Sequence, residues 1–189
     1  MKSRQTILSL PFALPAGSKA AQISVLPEFD SAQPFGRESW HQLDDFRPNV
    51  LIGHAFDLVR LAASIESGAR KVKTVDRAIF VLTDCGCVPA GEHLRSQLWR
   101  VFGVPVFELI IAPGCVVLAA ECERQSGWHL QPGIAAYQKN GEIVYDLRRL
   151  KGAHTRFRGV LDLQPCECGR SAPRLQHLAP YRVAAKEPL

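Results

Sequence analysis

The sequence lacks several features that would assign it to a special class of protein. No apolar run approaches the ~18 residues that a membrane-spanning helix needs, and we find no internal repeat or low-complexity tract. Positive charge is in small excess, with a net charge of +5, and no stripe interleaves basic with aromatic residues. Nucleic acid is therefore a poor candidate partner. With 47% hydrophobic and 22% charged residues, the chain can build a core, and we expect no membrane association.

The amino-terminal residues resemble a secretory signal only weakly. The apolar stretch that begins at Ile7 is short, Pro11 and Pro15 interrupt it, and no small-residue cleavage site follows. We therefore expect a cytoplasmic protein in which residues 1–19 form a hydrophobic lead-in with one helical turn at most.

The first two thirds of the chain alternates between strand and helix patterns. The predicted strands are Gln22–Leu26, Asn49–Gly53, Ala78–Leu82 and Pro105–Ile111, and the predicted helices are Glu38–Phe46, Ala55–Ser67 and Glu92–Phe102. Residues 28–37 are predicted as a loop and 83–89 as a turn. In the third helix, we expect Leu94, Leu98, Trp99 and Phe102 to face inward. The alternation predicts an α/β fold with a mostly parallel sheet and flanking helices.

The last third has a different rhythm. Val116–Glu121, Ile134–Gln138 and Glu142–Asp146 are predicted strands with short connections, and Lys139-Asn140-Gly141 is a hairpin signal. This pattern predicts a small antiparallel or barrel-like subdomain that carries a metal site. We divide the chain into a lead-in (1–19), an α/β sheet subdomain (20–115), a small β subdomain (116–178) and a tail (179–189).

The cysteines are spaced for metal binding rather than for disulfides. There are six, in two close pairs and two single positions: Cys85/Cys87, Cys166/Cys168, Cys115 and Cys122. Two cysteines separated by a single residue are too close to form an unstrained disulfide, and paired thiols in a cytosolic chain more often hold metal.

We predict one structural zinc site from Cys122, His129, Cys166 and Cys168. Three thiolates and one imidazole are a standard closed set for tetrahedral zinc and leave no open position for catalysis. The segment 164–173 has too few apolar side chains to be held by packing alone, so a metal could fasten it to Cys122. The alternative is that Cys122 is a small core residue and His129 a surface one.

Cys85 and Cys87 are rival ligands, and Cys115 reads as a buried side chain. The rivals rank lower because they lie in the turn at the carboxyl end of a predicted parallel strand, where such sheets bind substrates. A catalytic cysteine at Cys85 or Cys87, with His54 or His93 as base, is a further alternative with no local support.

An ordered series of short motifs resembles the phenylacetate–coenzyme A ligases of the adenylate-forming superfamily. The motifs are Phe46-Arg-Pro-Asn-Val-Leu, Gly86-Cys-Val-Pro89, Gly103-Val-Pro-Val-Phe-Glu-Leu, Ala119-Ala-Glu-Cys122 with Gly127-x-His129, Gly141-Glu-Ile-Val and Cys166-x-Cys-Gly-Arg-x-x-Pro-Arg-Leu175. The resemblance covers about residues 20–178. It implies part of an adenylate-forming amino-terminal domain, activation of a carboxylate with ATP and Mg²⁺, and zinc at the four predicted ligands.

The sequence departs from this family wherever the nucleotide is bound. The family's phosphate loop should precede residue 20, and its lysine-bearing domain should follow Leu175, for which Lys186 is no substitute. An acidic residue of the family is Val88 here, and the aromatic-Gly-x-Thr-Glu motif falls on residues 110–114 without its aromatic, threonine or glutamate. The family's ribose-binding aspartate motif falls on residues 156–160, with Asp162 nearby but off register.

These losses predict a degenerate, non-catalytic relative of the ligase core that binds zinc and either a partner or an acyl-type ligand. Two alternatives stay open: an enzyme completed by a second chain, and a polyanion binder that uses Arg148, Arg149, Lys151, Arg156 and Arg158. A sheet cut from a larger ligase would also expose an edge strand, predicted at Gln22–Leu26, and an apolar face. We expect a homo-oligomer or a partner protein to cover them.

Overall fold

The computed structural model describes residues 7–10, 13–24, 28–87, 89–113, 116–147 and 150–181. The predictions for Val88, Cys115, Arg148, Arg149 and Lys186 concern positions outside the described residues. The same is true of the first six residues of the lead-in and of the tail from position 182.

The chain forms one large mixed sheet. Its described strands are β1 (Ile7–Leu8), β2 (Ala20–Gln22), β3 (Glu28–Phe29), β4 (Ala32–Pro34), β5 (Val50–His54), β6 (Ala78–Asp84), β7 (Val106–Ala112), β8 (Val116–Glu121), β9 (Trp128–Leu130), β10 (Ala135–Lys139), β11 (Glu142–Leu147), β12 (Leu150–Asp162) and β13 (Arg174–Pro180). Strands β1 and β3 pair separately, and the others form an 11-stranded sheet in the order β10-β11-β12-β13-β9-β8-β7-β6-β5-β2-β4. From β4 to β7 neighbouring strands are parallel. From β7 to β10 they are antiparallel.

The helices lie where the sequence pattern places them. A 3-10 helix over Arg37–Gln42 continues into the short helix α1 (Leu43–Phe46). Helix α2 covers Ala55–Glu66 and helix α3 covers Glu92–Phe102, so the predicted strand–helix alternation is confirmed. Gly103 ends α3 with a φ of 68°, a left-handed conformation that glycine adopts without steric cost.

Both faces of the parallel part are buried because its strands are apolar at successive positions. On one face, Leu51 and Val81 belong to the core that includes the buried leucines of α2 and α3. On the other face, Ile52 and Phe80 pack with Leu14 of the lead-in. The lead-in contributes the β1 strand instead of the predicted helical turn. No described helix is long and apolar enough to cross a membrane.

Several local predictions were wrong. Strand β2 ends at Gln22 instead of beginning there, and it lies between β4 and β5, so it is not an edge strand. Two short strands, β3 and β4, occupy the stretch predicted as a loop; they are too short to leave an alternating pattern. Thr83 and Asp84 extend β6 into the predicted turn.

The predicted inward face of α3 also included one residue that is in fact exposed. Leu98 is fully buried, whereas Trp99 is 59% exposed. Leu94, Leu98 and Phe102 are four residues apart and therefore share one helix face, while the next residue is turned about 100° away.

The last third does not form a separate barrel among the described residues. Its antiparallel strands extend the same sheet beyond β7, and three of them (β9, β12 and β13) were not predicted. The hairpin at Asn140 and Gly141 is confirmed, with φ values of 52° and 83°. Whether residues 20–115 and 116–178 fold as separate units stays a prediction.

Candidate metal centre

The structure brings the predicted ligands together. The ligand atoms of Cys122, His129, Cys166 and Cys168 all lie within 4.8 Å of one another. Cys122 Sγ is 3.8 Å from Cys166 Sγ, and Cys168 Sγ is 3.4 Å from His129 Nε2. A tetrahedral zinc ion with Zn–S bonds of ~2.3 Å and Zn–N bonds of ~2.0 Å would hold sulfurs ~3.8 Å apart and a sulfur and nitrogen ~3.5 Å apart. The donor set and its spacing therefore fit such an ion.

Two turns and one strand position the ligands. Cys122 directly follows β8 and opens a turn in which Gln125 N–H donates to the Cys122 carbonyl over 2.8 Å. The second turn returns the chain between Cys166 and Arg170, with Cys166 N–H donating to the Arg170 carbonyl over 3.2 Å. Gly169 makes this turn with a φ of 84°. His129 lies at the centre of β9.

The hydrogen bond of His129 fixes which of its nitrogens can bind a metal. His129 Nδ1 is 3.0 Å from the backbone oxygen of Ala172. A carbonyl oxygen can only accept, so Nδ1 carries the proton and Nε2 presents its lone pair to the thiols. His129 is 1% exposed, so the alternative that it is a surface residue is wrong.

Further polar groups surround Cys166. Ser126 Oγ lies 3.3 Å from Cys166 Sγ and 3.7 Å from Cys122 Sγ. Arg174 Nη1 donates to Cys166 Sγ over 3.2 Å and to Ser126 Oγ over 3.0 Å. Arg174 also forms an ion pair with Asp162. Arg174 belongs to one of the sequence motifs, but its contact with the Cys166 thiol was not predicted, because that contact depends on strand pairing.

These contacts separate the titration of two of the thiols. Burial by itself would raise the pKa of Cys166, but hydrogen bonds from the Ser126 hydroxyl and the Cys168 backbone N–H outweigh it and lower that pKa well below the ordinary value of a thiol. Burial raises the pKa of Cys168. Of these two thiols, Cys166 is therefore the better prepared to act as a thiolate ligand.

The other candidate thiols lie elsewhere. Cys85 follows β6, is buried, and has its Sγ 3.9 Å from the hydroxyl of Tyr145. Burial raises the pKa of Cys85, which is opposite to what a nucleophilic thiol needs. His54 Nδ1 contacts the Leu82 carbonyl at 3.2 Å. Cys87 is exposed, and neither Cys85 nor Cys87 belongs to the metal cluster.

The positions that resemble nucleotide-binding motifs are apolar or already engaged. Ile110, Ile111 and Ala112 end β7 and are all buried. Asp162, the nearest candidate for a sugar-binding carboxylate, is held by Arg174 and by Gln176, whose Nε2 donates over 3.1 Å.

A buried polar network lies behind the metal ligands. Glu108 is fully buried and accepts hydrogen bonds from Ala90 N–H at 2.7 Å and from Trp128 Nε1 at 3.1 Å. Arg95 lies 3.5 Å from Glu108 and 2.9 Å from Glu121. Burial raises the pKa of both carboxyl groups. Glu121 and Trp128 directly precede Cys122 and His129, so the network supports the ligand-bearing segments from the opposite face of the sheet.

Comparison with known proteins gives a likeness of fold. No protein-family model and no curated protein matches the chain. A structure of 2-hydroxyisobutyryl-CoA ligase matches with a TM-score of 0.66 and 14% identity, over 87% of this chain and 44% of that one. Coronafacic acid ligase from Pectobacterium brasiliense matches with a TM-score of 0.58 and 10% identity, over 86% of this chain and 39% of that one.

An acyl-CoA synthetase (AMP-forming)/AMP-acid ligase II-like protein from Dyadobacter fermentans DSM 18053 matches with a TM-score of 0.52 and 11% identity, over 84% of this chain and 49% of that one. The chain thus spans less than half the length of these structures. The described chain has the α/β fold of a part of an AMP-forming acyl-CoA ligase, with a buried Cys/His cluster that could hold a metal ion.

Proposed function

We propose that this chain is a zinc-stapled, ligase-like scaffold that does not adenylate a carboxylate by itself and serves as a binding module. The observation on which this proposal rests is that the ligand atoms of Cys122, His129, Cys166 and Cys168 lie within 4.8 Å of one another. Soft thiolates select zinc over the hard cations that serve phosphate chemistry, and a closed set of protein ligands indicates a structural site.

The strand pairing supports a structural role for the ion. Strand β13 meets β9 through just two described register pairs, Arg174 with His129 and Leu175 with Trp128. One ion would join the end of β8, the centre of β9 and the turn that precedes β13. It would therefore reinforce the seam between the outer antiparallel strands and the rest of the sheet.

The carboxyl edge of the parallel strands supports the loss of adenylation. Acidic groups that hold Mg²⁺ or ribose act by preorganised charge, and each is typically worth ~10²–10³ in rate. The end of β7 carries the buried apolar residues Ile110, Ile111 and Ala112 instead. Cys85 offers no substitute chemistry, because its thiol is buried and its pKa is raised.

For the partner, we propose a second protein chain in the groove beside Phe107, which is only partly buried, whereas its neighbour Phe80 is already buried in the core. The rings of these two residues stack with centroids 5.7 Å apart. An apolar groove of about 510 Å³ opens beside them and is lined by Val50, Ala78 and Leu14. Sedimentation at dilute concentration that shows only monomers would argue against self-association through this groove.

The fold is also compatible with a second function. Because the match to acyl-CoA ligases spans less than half of their length, a second chain could complete an enzyme. This alternative predicts that ATP or acyl-CoA binds only when the second chain is present.

A metal analysis paired with a ligand titration tests the proposal. We expect the purified chain to contain one zinc per molecule and to give no binding signal with ATP or acyl-CoA. Cys166→Ser should lose the zinc, while Cys87→Ser, at an exposed thiol outside the cluster, should keep it. Zinc loss in both variants, or an acyl-adenylate formed by the chain unaided, would overturn the proposal.

A further inference from the structure

Strand register places a charged residue directly beside the metal ligands. Arg174 of β13 pairs with Asp162 of β12 on one side and with His129 of β9 on the other. Side chains of directly paired residues lie on the same face of a sheet, so these three form a row across the strands.

The guanidinium of Arg174 is directed at the cluster. The residue is 8% exposed, and burying an arginine is costly unless its charge is matched. One terminal nitrogen, Nη2, meets Asp162, and the other, Nη1, donates to Cys166 Sγ over 3.2 Å. Asp162 therefore helps to fix the orientation of the guanidinium, and Nη1 is directed at a thiol.

The charges explain why a cation belongs at this position. Three thiolates and a neutral imidazole around a divalent ion leave an excess of one negative charge in a buried site. A charge-assisted N–H···S bond to one thiolate stabilises its negative charge locally and draws electron density from the sulfur. Partners of this kind typically change metal affinity by roughly 10- to 100-fold when they are removed.

We propose that Arg174 is a positioning residue of the metal centre, which strengthens metal retention and makes the Cys166 thiolate less reactive than that of Cys168. This inference rests on the proposed zinc site. No arginine side chain contacts the Cys168 thiol among the described residues, and Cys168 is less buried than Cys166. Alkylation of the metal-loaded protein should therefore reach Cys168 before Cys166.

A simpler role for Arg174 would be the ion pair with Asp162 that joins β12 to β13. The two roles predict different results. Asp162→Asn removes the negative charge but keeps a side-chain oxygen that can accept from Nη2, so the guanidinium stays oriented and the N–H···S donor stays in place. Arg174→Met removes both the ion pair and the N–H···S donor, and Arg174→Lys keeps the positive charge. If only the ion pair matters, Asp162→Asn and Arg174→Met should behave alike.

Arg170 supplies the matched control. It lies in the same turn as the cysteines, but its guanidinium bonds Glu123 over 3.0 Å and touches no described thiol. Arg170→Met therefore removes a guanidinium of the same segment without altering the sulfur contact.

The experiment measures zinc affinity by competition with a chromogenic chelator, and zinc release while N-ethylmaleimide alkylates the thiols. Peptide mass spectrometry identifies the order in which the cysteines react. We expect Arg174→Met to bind zinc about 10- to 100-fold more weakly and to alkylate Cys166 as early as Cys168. Arg174→Lys should be intermediate, and Asp162→Asn and Arg170→Met should stay within about threefold of the parent.

Two failures can be told apart. A parent chain that binds no zinc refutes the proposed function and this inference with it. A parent that binds zinc, with Arg174→Met unchanged in affinity and in alkylation order, refutes only the role of Arg174. If Arg174→Met does not fold, Arg174→Lys compared with Arg170→Met decides the question, because an unchanged Lys variant excludes any need for the guanidinium fork.

Discussion

Substituting Gly127 tests the construction of the site without reference to any metal. Gly127 lies between Ser126 and Trp128, in the short connection that leads from Cys122 to β9. Its φ is 123°, a backbone conformation that residues with a side chain rarely adopt. A Cβ at this position would lie 2.6 Å from the Leu175 backbone oxygen. Gly127→Ala therefore introduces backbone strain and a contact with a main chain that cannot simply rotate away.

The two effects have separate magnitudes. Strain at such a backbone conformation costs of order 1–3 kcal/mol. Relief of the contact requires β13 to retreat at the point where it pairs with β9, and overpacking of this kind costs about 1–3 kcal/mol. We expect Gly127→Ala to lower the free energy of unfolding by about 4 kcal/mol, which is a large share of the stability of a typical domain.

Gly169→Ala isolates the steric part of this loss. Gly169 also has a positive φ, of 84°, and directly follows Cys168 in the turn that carries Cys166 and Cys168, but no neighbouring segment lies within 4 Å of the position of its Cβ. Gly169→Ala should cost only about 1–2 kcal/mol. Urea unfolding of both variants and the parent, with the m-values compared, measures the difference. Equal losses would refute the contact between Gly127 and β13, and with it the described seam.

Three further predictions concern metal, protons and thiols. Removal of the metal by a chelator should speed hydrogen exchange in residues 164–173 and β13 but not in β5–β7. The reason is that an ion at a free concentration of 100 times its Kd stabilises the native state by ~2.7 kcal/mol. An equal increase of exchange in all strands would contradict the proposed staple. Burial raises the folded-state pKa of Glu108 above its ordinary value of 4.5, so its stabilising contribution is full below 4.5 and is lost as pH rises through the folded pKa. In metal-free protein, the free energy of unfolding of the parent should rise as pH falls toward 4.5, and Glu108→Gln should flatten that rise; parallel profiles for parent and variant would count against a raised pKa at Glu108. In native protein, Cys87 should react with a maleimide well before Cys85, which is buried and has a raised pKa; the reverse order, read by mass spectrometry, would revive a nucleophilic role for Cys85.

The sequence indicates only part of the charged network around Glu108. It shows that the carboxyl group of Glu108 lies within an otherwise apolar strand, where its burial costs free energy. Its compensating partners come from α3, from the segment before α3 and from β9. Sequence reasoning could have marked Glu108 as paired but not named Arg95, because the two groups meet only when α3 packs on the sheet.

The sequence by itself determined the strand–helix alternation, the ends of α2 and α3, and the four ligand candidates. These follow from local causes: apolar periodicity, glycine at helix ends, and the small number of side chains that can bind a soft metal. The tertiary structure alone decided that β2 is interior and that Asp162, Arg174 and His129 share one row. The physical reason is that strand register depends on which distant segments pair. A residue's own neighbours in the chain encode its burial pattern, but they do not encode the partner that lies across the sheet.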